Sequence, residues 1–224
     1  MNDAHSLSRR ALLGATAAGG LVACGSDPPA MTGPNPDVMP LNGLLTAEYE
    51  AIKAYMTGVG IFAAPPMGDP QAALSLALVP IGTNWMNQHR QHATVLASTI
   101  RALGGTPVEE ASVTFTAPAM FTNSIANVLK LAANKEKAAA VAYNRTVRQL
   151  SSQANRQLAA NIEGDETQHF IVLYALLKQL AAPNVATLVA NIGEIVPKSF
   201  VATQAGAMAN DSLEAQMDLM YAMM

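Results

Sequence analysis

Apolar residues recur every three or four positions from Leu41 onward, the period of a helix with one buried face. The first stripe, Leu41, Leu44, Leu45, Ile52, Tyr55, Met56 and Val59, predicts a helix over 41–60. Gly60 and the run Ala-Pro-Pro-Met-Gly-Asp-Pro over 64–70 end it. Residues 71–79 read as a short helical piece stopped by Pro80. A second long helix, 82–103, puts Trp85, His89, His92, Leu96 and Leu103 on one face and stops at Gly104-Gly105, ahead of Pro107. An irregular stretch over 104–120 follows. A third helix, 122–150, aligns Leu129, Ala132, Glu136, Ala139, Tyr143 and Val147. A fourth, 153–181, aligns Ile162, Glu166, His169, Leu173, Leu176 and Leu180. Only Ser151-Ser152 separate these two, so they pack antiparallel. The best strand signal, Ser112-Val113-Thr114-Phe115-Thr116, is short and isolated. The pattern predicts an all-α four-helix bundle over 41–181. The first and second helices pair, the third and fourth pair, and a longer crossover joins the second to the third. Pro183 opens a shorter amphipathic piece, and 211–224 is a Met-rich tail with helical period, so 182–224 reads as a C-terminal helical extension.

The chain ahead of the bundle has a different character. Arg9-Arg10 precede a mild Ala/Gly-rich apolar stretch over 11–23, too short to span a bilayer, which reads as a twin-arginine export signal. Leu21-Val22-Ala23-Cys24 resembles a lipobox, with Cys24 as the lipidated residue, so residues 1–24 form an address. The alternative is that Cys24 merely lies near an ordinary cleavage site. Residues 25–40 carry five prolines and read as a semi-rigid tether. The expected location is the periplasm or outer cell envelope, with Cys24 as a membrane anchor.

Composition narrows the function. Of 224 residues half are hydrophobic, which excludes wholesale disorder. A net charge of −3 lacks the basic excess that phosphate contacts need, so no nucleic-acid partner is expected. One cysteine excludes a disulfide framework and a Cys-rich zinc site. No nucleotide loop, nucleophile–base pair or haem motif is present.

The informative residues are polar ones on apolar stripes: Glu48, the His89/His92 pair, Glu136, and the Glu166/His169 pair. Glu50, about 200° around the helix from Glu48, reads as a solvated charge. Three carboxylates in a bundle core cost several kcal/mol each unless compensated, and Lys135 and Lys137 turn off the face of Glu136. Two divalent ions would supply the missing positive charge. Residues at i and i+3 present two ligands from one helix face to a single cluster. Oxygen and imidazole donors without thiolate suit iron or manganese, and also zinc. Asp165 reads first as a surface residue; lying four before His169, it is also a candidate acceptor for the outer nitrogen of that histidine. Tyr55 and Tyr143 each lie seven residues after an inward Glu, about 10 Å along the helix axis. Core packing and a redox-active tyrosine are their two readings. Flexible packing or self-association suits the twelve methionines better than copper binding.

These residues resemble the ferritin-like superfamily, and within it the secreted bacterial ferritin-like domains. That family's pattern is a Glu, a Glu-x-x-His, a Glu and a second Glu-x-x-His on successive helices. Ala47-Glu48-Tyr49, Lys135-Glu136-Lys137, Glu166-Thr167-Gln168-His169 and His92 match it across about residues 41–181. The resemblance implies a dinuclear iron or manganese site. Glu48, His89 and His92 would serve one half, Glu136 and His169 the other, with Glu166 bridging. The departure is His89, which stands where the family has a bridging carboxylate. Three carboxylates compensate two trivalent ions poorly, so the departure implies an asymmetric site that favours divalent metal. It sits badly with iron storage. Two function classes stand: a nonhaem di-metal protein reacting with dioxygen or peroxide, or a bundle without catalytic metal that binds partners in stress tolerance or surface assembly. Whether the protein is an enzyme, whether it forms a homodimer, and its redox partner are left open by the sequence.

Overall fold

The computed structural model describes residues 33–119 and 121–181. The expected export signal, the tether before residue 33 and the extension over 182–224 lie outside the described residues. Four long helices follow one another: α1 (Val38–Ala63), α2 (Ser75–Ala102), α3 (Ile125–Val147) and α4 (Gln153–Ala181). Among the described residues there is no strand: Ser112 ends a short 3-10 turn over Glu110–Ser112, and residues 113–116 are irregular chain. No helix among them is long and apolar enough to cross a membrane. The main packing pairs are α1 with α2 and α3 with α4, and α1 also packs on α3.

Local chemistry explains most boundaries. Gly104 has φ +76°, and the Gly104 and Gly105 amides bond back to Arg101 and Ile100 at 2.9 Å each. This closes α2 with the left-handed glycine turn its sequence predicts. Ser124 caps α3 by accepting from the Asn127 amide at 3.1 Å. Pro80 does not stop a helix, contrary to expectation: α2 runs through it from Ser75. Pro80 falls in the second turn, where its missing N–H forfeits a single bond early in the ladder. Met56 also departs from its assigned stripe and is 58% exposed.

The crossover from α2 to α3 runs the length of α1. Asn42 holds its start, donating to the Thr106 carbonyl at 3.0 Å and accepting from the Val108 amide at 2.7 Å. Lys53 holds its middle through the Glu110 and Val113 carbonyls. Asp69, just past α1, accepts from the first amide of α3 at Ile125, 2.8 Å away. The crossover therefore lets α3 start beside the end of α1, and the two helices run antiparallel.

α1 begins three residues before the expected end of the tether, and Asp37 ahead of it is fully buried. Its carboxylate accepts from the Ser151 amide (2.6 Å), the Ser151 hydroxyl (2.9 Å), the Ser152 amide (3.1 Å) and Asn155 Nδ2 (2.7 Å). Asp37 thus caps the positive end of α4 from across the bundle. Burial pushes its carboxyl upward, but these bonds outweigh burial and hold it below the usual carboxylate range. Asp37→Ala strands several buried donors and is expected to cost about 3 kcal/mol, read as a lowered urea midpoint. The stabilisation is present above the unfolded-state value of 3.8 and fades as pH falls through the lower folded value.

Two apolar plugs fill the bundle. One gathers Leu41, Leu45, Leu96, Ile100, Leu150 and Ile162. The other gathers Phe62, Leu78, Ile125, Leu129, Phe170 and Leu173. Between these two sets in sequence, on every helix, fall the inward polar residues.

Candidate metal centre

Glu48, His89, His92, Glu136, Glu166 and His169 converge, and each is at most 8% exposed. They form two overlapping groups whose donor atoms lie within 4.8 Å of one another. Glu48, His89, His92 and Glu166 make one group, and His89, Glu136, Glu166 and His169 the other. Glu166 belongs to both, as a bridging residue would. His89 also belongs to both, whereas the sequence pattern assigns it to one half. Its Nδ1–H donates to Glu48 Oε2 at 2.8 Å, and its Nε2–H to Glu136 Oε1 at 3.3 Å.

The surroundings repeat with a twofold pattern. Tyr55 on α1 donates to Glu136 on α3, and Tyr143 on α3 donates to Glu48 on α1. Antiparallel packing makes this crossing possible: seven residues carry each hydroxyl past its own Glu and onto the Glu of the facing helix. Burial and the adjacent carboxylates push both phenols well above their ordinary value, so both stay O–H donors. The outer histidine nitrogens repeat the pattern. His92 Nε2–H donates to Asp165 Oδ2 at 3.2 Å, and His169 Nε2–H donates to Gln88 Oε1 at 2.8 Å. Each partner immediately precedes its own helix's motif and reaches the histidine of the other helix. Asp165 therefore serves His92 rather than His169, and Gln88 was missed because its role needs the facing helix. Both rings are left with Nδ1 turned inward. His92 Nδ1 lies 3.1 Å from Glu166 Oε1, and His169 Nδ1 lies 3.3 Å from Glu136 Oε2. Asp165→Ala and Gln88→Ala are each expected to weaken metal affinity about 10–100-fold, measured by competition with a chelator, with little change in fold.

Electrostatics distinguish the three acids. Burial raises the Glu48 and Glu136 carboxyls, but the histidines outweigh it. Glu48 is held below its ordinary value, and Glu136 well below, chiefly by the charge of His89. Burial and then the negative charge of Glu136 push Glu166 well above its ordinary value. Burial lowers His89 and His92, but their acid neighbours outweigh it and raise both, His89 strongly. Without metal the cluster therefore favours charged Glu48, Glu136 and His89 and a protonated Glu166.

His92 Nδ1 and both Glu166 oxygens are buried and face one another, with Nδ1 3.1 Å from Oε1, so only the Glu166 proton is left to join them. Their donor chemistry is that of a ligand set for a hard or borderline cation. The buried Glu/His cluster fits a dinuclear metal site.

Residues 36–179 match the family described as the ferritin-like domain. A Bacillus anthracis structure described as ferritin like, diiron-carboxylate proteins is similar at 24% identity, over 63% of this chain and 94% of that one, with a TM-score of 0.50. A conserved hypothetical protein from Mycobacterium tuberculosis is similar at 21% identity, over 66% and 93%, with a TM-score of 0.49. None of the curated proteins matches the chain.

Proposed function

This chain belongs to the ferritin-like domain family, and we propose that within that fold it holds a pair of divalent metal ions at the envelope side of a membrane. Glu48 and His92 would hold one ion, Glu136 and His169 the other, with Glu166 between them and His89 facing both. Iron is the leading candidate, ahead of manganese and zinc. The observation that carries the reading is the convergence of six buried Glu and His side chains into two donor groups that share Glu166. A redox-active pair of this kind supplies electrons to dioxygen or peroxide. The chain's own contribution is to hold the imidazoles by Asp165 and Gln88, to donate hydrogen bonds from Tyr55 and Tyr143, and to close the bundle on either side of the cluster with two apolar plugs. Arg9-Arg10 and the Leu21–Cys24 sequence support export and lipid anchoring as part of the same proposal.

A second reading has its own support. His89 and the two tyrosines already satisfy Glu48 and Glu136, so a metal-free bundle is chemically coherent as a partner-binding protein. Elemental analysis of protein exported by its native route separates the two. About two ions per chain are expected on the first reading. Protein that stays empty when iron, manganese and zinc are offered, and melts at the same temperature with and without them, rejects it.

A further inference from the structure

We propose that divalent metal enters the cluster through the seam between α1 and α3, and that Glu50 and Lys135 gate it. The inference rests on the metal-binding reading above. A cavity of about 220 Å³ occupies that seam. Ala47 and Ala51 from α1 and Ala139 and Ala142 from α3 wall it. Ala138, Glu50 and Lys135 are its outer lining, Ala138 exposed and the Glu50 and Lys135 side chains 37% and 34% exposed, while His89 and Glu136 are its buried lining, each only 1% exposed. The opening therefore runs from solvent to atoms of the cluster itself.

The seam is open for a physical reason. Tyr55 and Tyr143 span from α1 to α3 and space the helices at the level of the cluster. Between them the facing side chains are methyl groups, which leave the gap unfilled. Toward the far end the same helices close: a Cβ on Gly58 would lie 2.9 Å from Val128 Cγ1. A water needs roughly 10–15 Å³ of such space, so the cavity has room for an ion that still carries water.

Charge suits a cation's passage. Glu50 offers a carboxylate at the mouth and Glu136 another at the inner end. Lys135 pairs with Glu50, and its ammonium also lies 5.8 Å from the Phe115 ring centroid. The ring thus holds the ammonium at the mouth while it pairs with Glu50, and ties the pair to the crossover. A second cavity, about 50 Å³, lies behind Tyr55 and Trp85 among Phe62, Leu78, Val128 and Leu173. A hydrated ion would lose its water there with little to replace it.

The test mixes full-length metal-free protein with Co²⁺ alone and follows its visible absorption by stopped flow, with elemental analysis at the end point. Ala139→Leu and Ala47→Leu should fill the seam and slow uptake at least tenfold with the final metal content unchanged. Glu50→Lys should slow it similarly, and Lys135→Gln should speed it severalfold. Ala160→Leu, on the exposed side of α4, should leave it unaltered. Wild-type uptake rates in the folded leucine variants overturn the route. Should those variants fail to fold, unchanged rates in Glu50→Lys and Lys135→Gln, both on the surface, overturn it. Wild-type protein that never binds Co²⁺ removes the metal reading itself and the route with it.

Discussion

Glu166→Gln is expected to bind neither metal ion while its metal-free form becomes harder to unfold. The two effects share one cause. Glu166 is fully buried and belongs to both donor groups. Glutamine keeps the shape but presents a neutral amide, a poor exchange for a carboxylate facing two cations. In the metal-free protein the same carboxyl is a liability. Its folded value is raised well above 4.5 by burial and by Glu136, so folding obliges it to take up a proton that the unfolded chain has released. That cost is absent below the unfolded value, grows as pH rises above it, and levels off beyond the folded value. Glutamine pays none of it. The variant's melting temperature should therefore exceed wild type at pH 7 and converge with it near pH 4. With metal present the order reverses. Ion at about a hundred times its dissociation constant stabilises the wild type by about 2.7 kcal/mol and leaves the variant unmoved. A variant that still shows the wild-type metal shift would remove Glu166 from the site.

What the sequence disclosed divides by the range of the interactions concerned. The α2 stop at Gly104-Gly105 is local and stands where the residues put it, whereas α3 ends at Val147 rather than 150, so the α3–α4 break spans 148–152 and not Ser151-Ser152 alone. The six inward polar residues were legible because helical period alone determines a face, and the bundle brings those faces together. Asp37 was not legible as a cap: its partners lie more than a hundred residues away, and prolines around it suggest extended chain. Gln88 and Asp165 hid for a related reason. Each stands off its own helix's inward stripe, and its purpose appears only when the opposite helix is alongside. The tyrosines carried a misleading distance. Two turns separate each from its own Glu, yet the antiparallel partner carries the other Glu to meet it.

His89 interrupts an otherwise repeated arrangement, and His89→Glu should exchange metal-free stability for metal affinity. Tyr55 and Tyr143 answer one another, as do Gln88 and Asp165, and His92 and His169. Only His89 opposite Glu166 breaks the pattern. The imidazole faces two carboxylates, and its folded value is raised well above 6.5 once their attraction outweighs burial. Its contribution to the metal-free fold is full below 6.5 and lost as pH rises through the folded value. Over that same window metal binding should tighten, by about tenfold per pH unit for each proton an ion displaces. A glutamate at this position removes the internal cation and adds a fourth acid. The metal-free variant should unfold at lower urea, because four buried acids must then share protons or repel. The second ion should bind at least tenfold more tightly, because both sides of the pair then have a carboxylate between them. His89→Gln separates the two contributions: it should lose metal-free stability as the glutamate variant does, gain no affinity, and flatten the pH dependence above 6.5. Equal affinities for the second ion in wild type and His89→Glu would mean that the imidazole already serves both ions as well as a carboxylate can, and that the break in the pattern leaves the pair's strength unchanged.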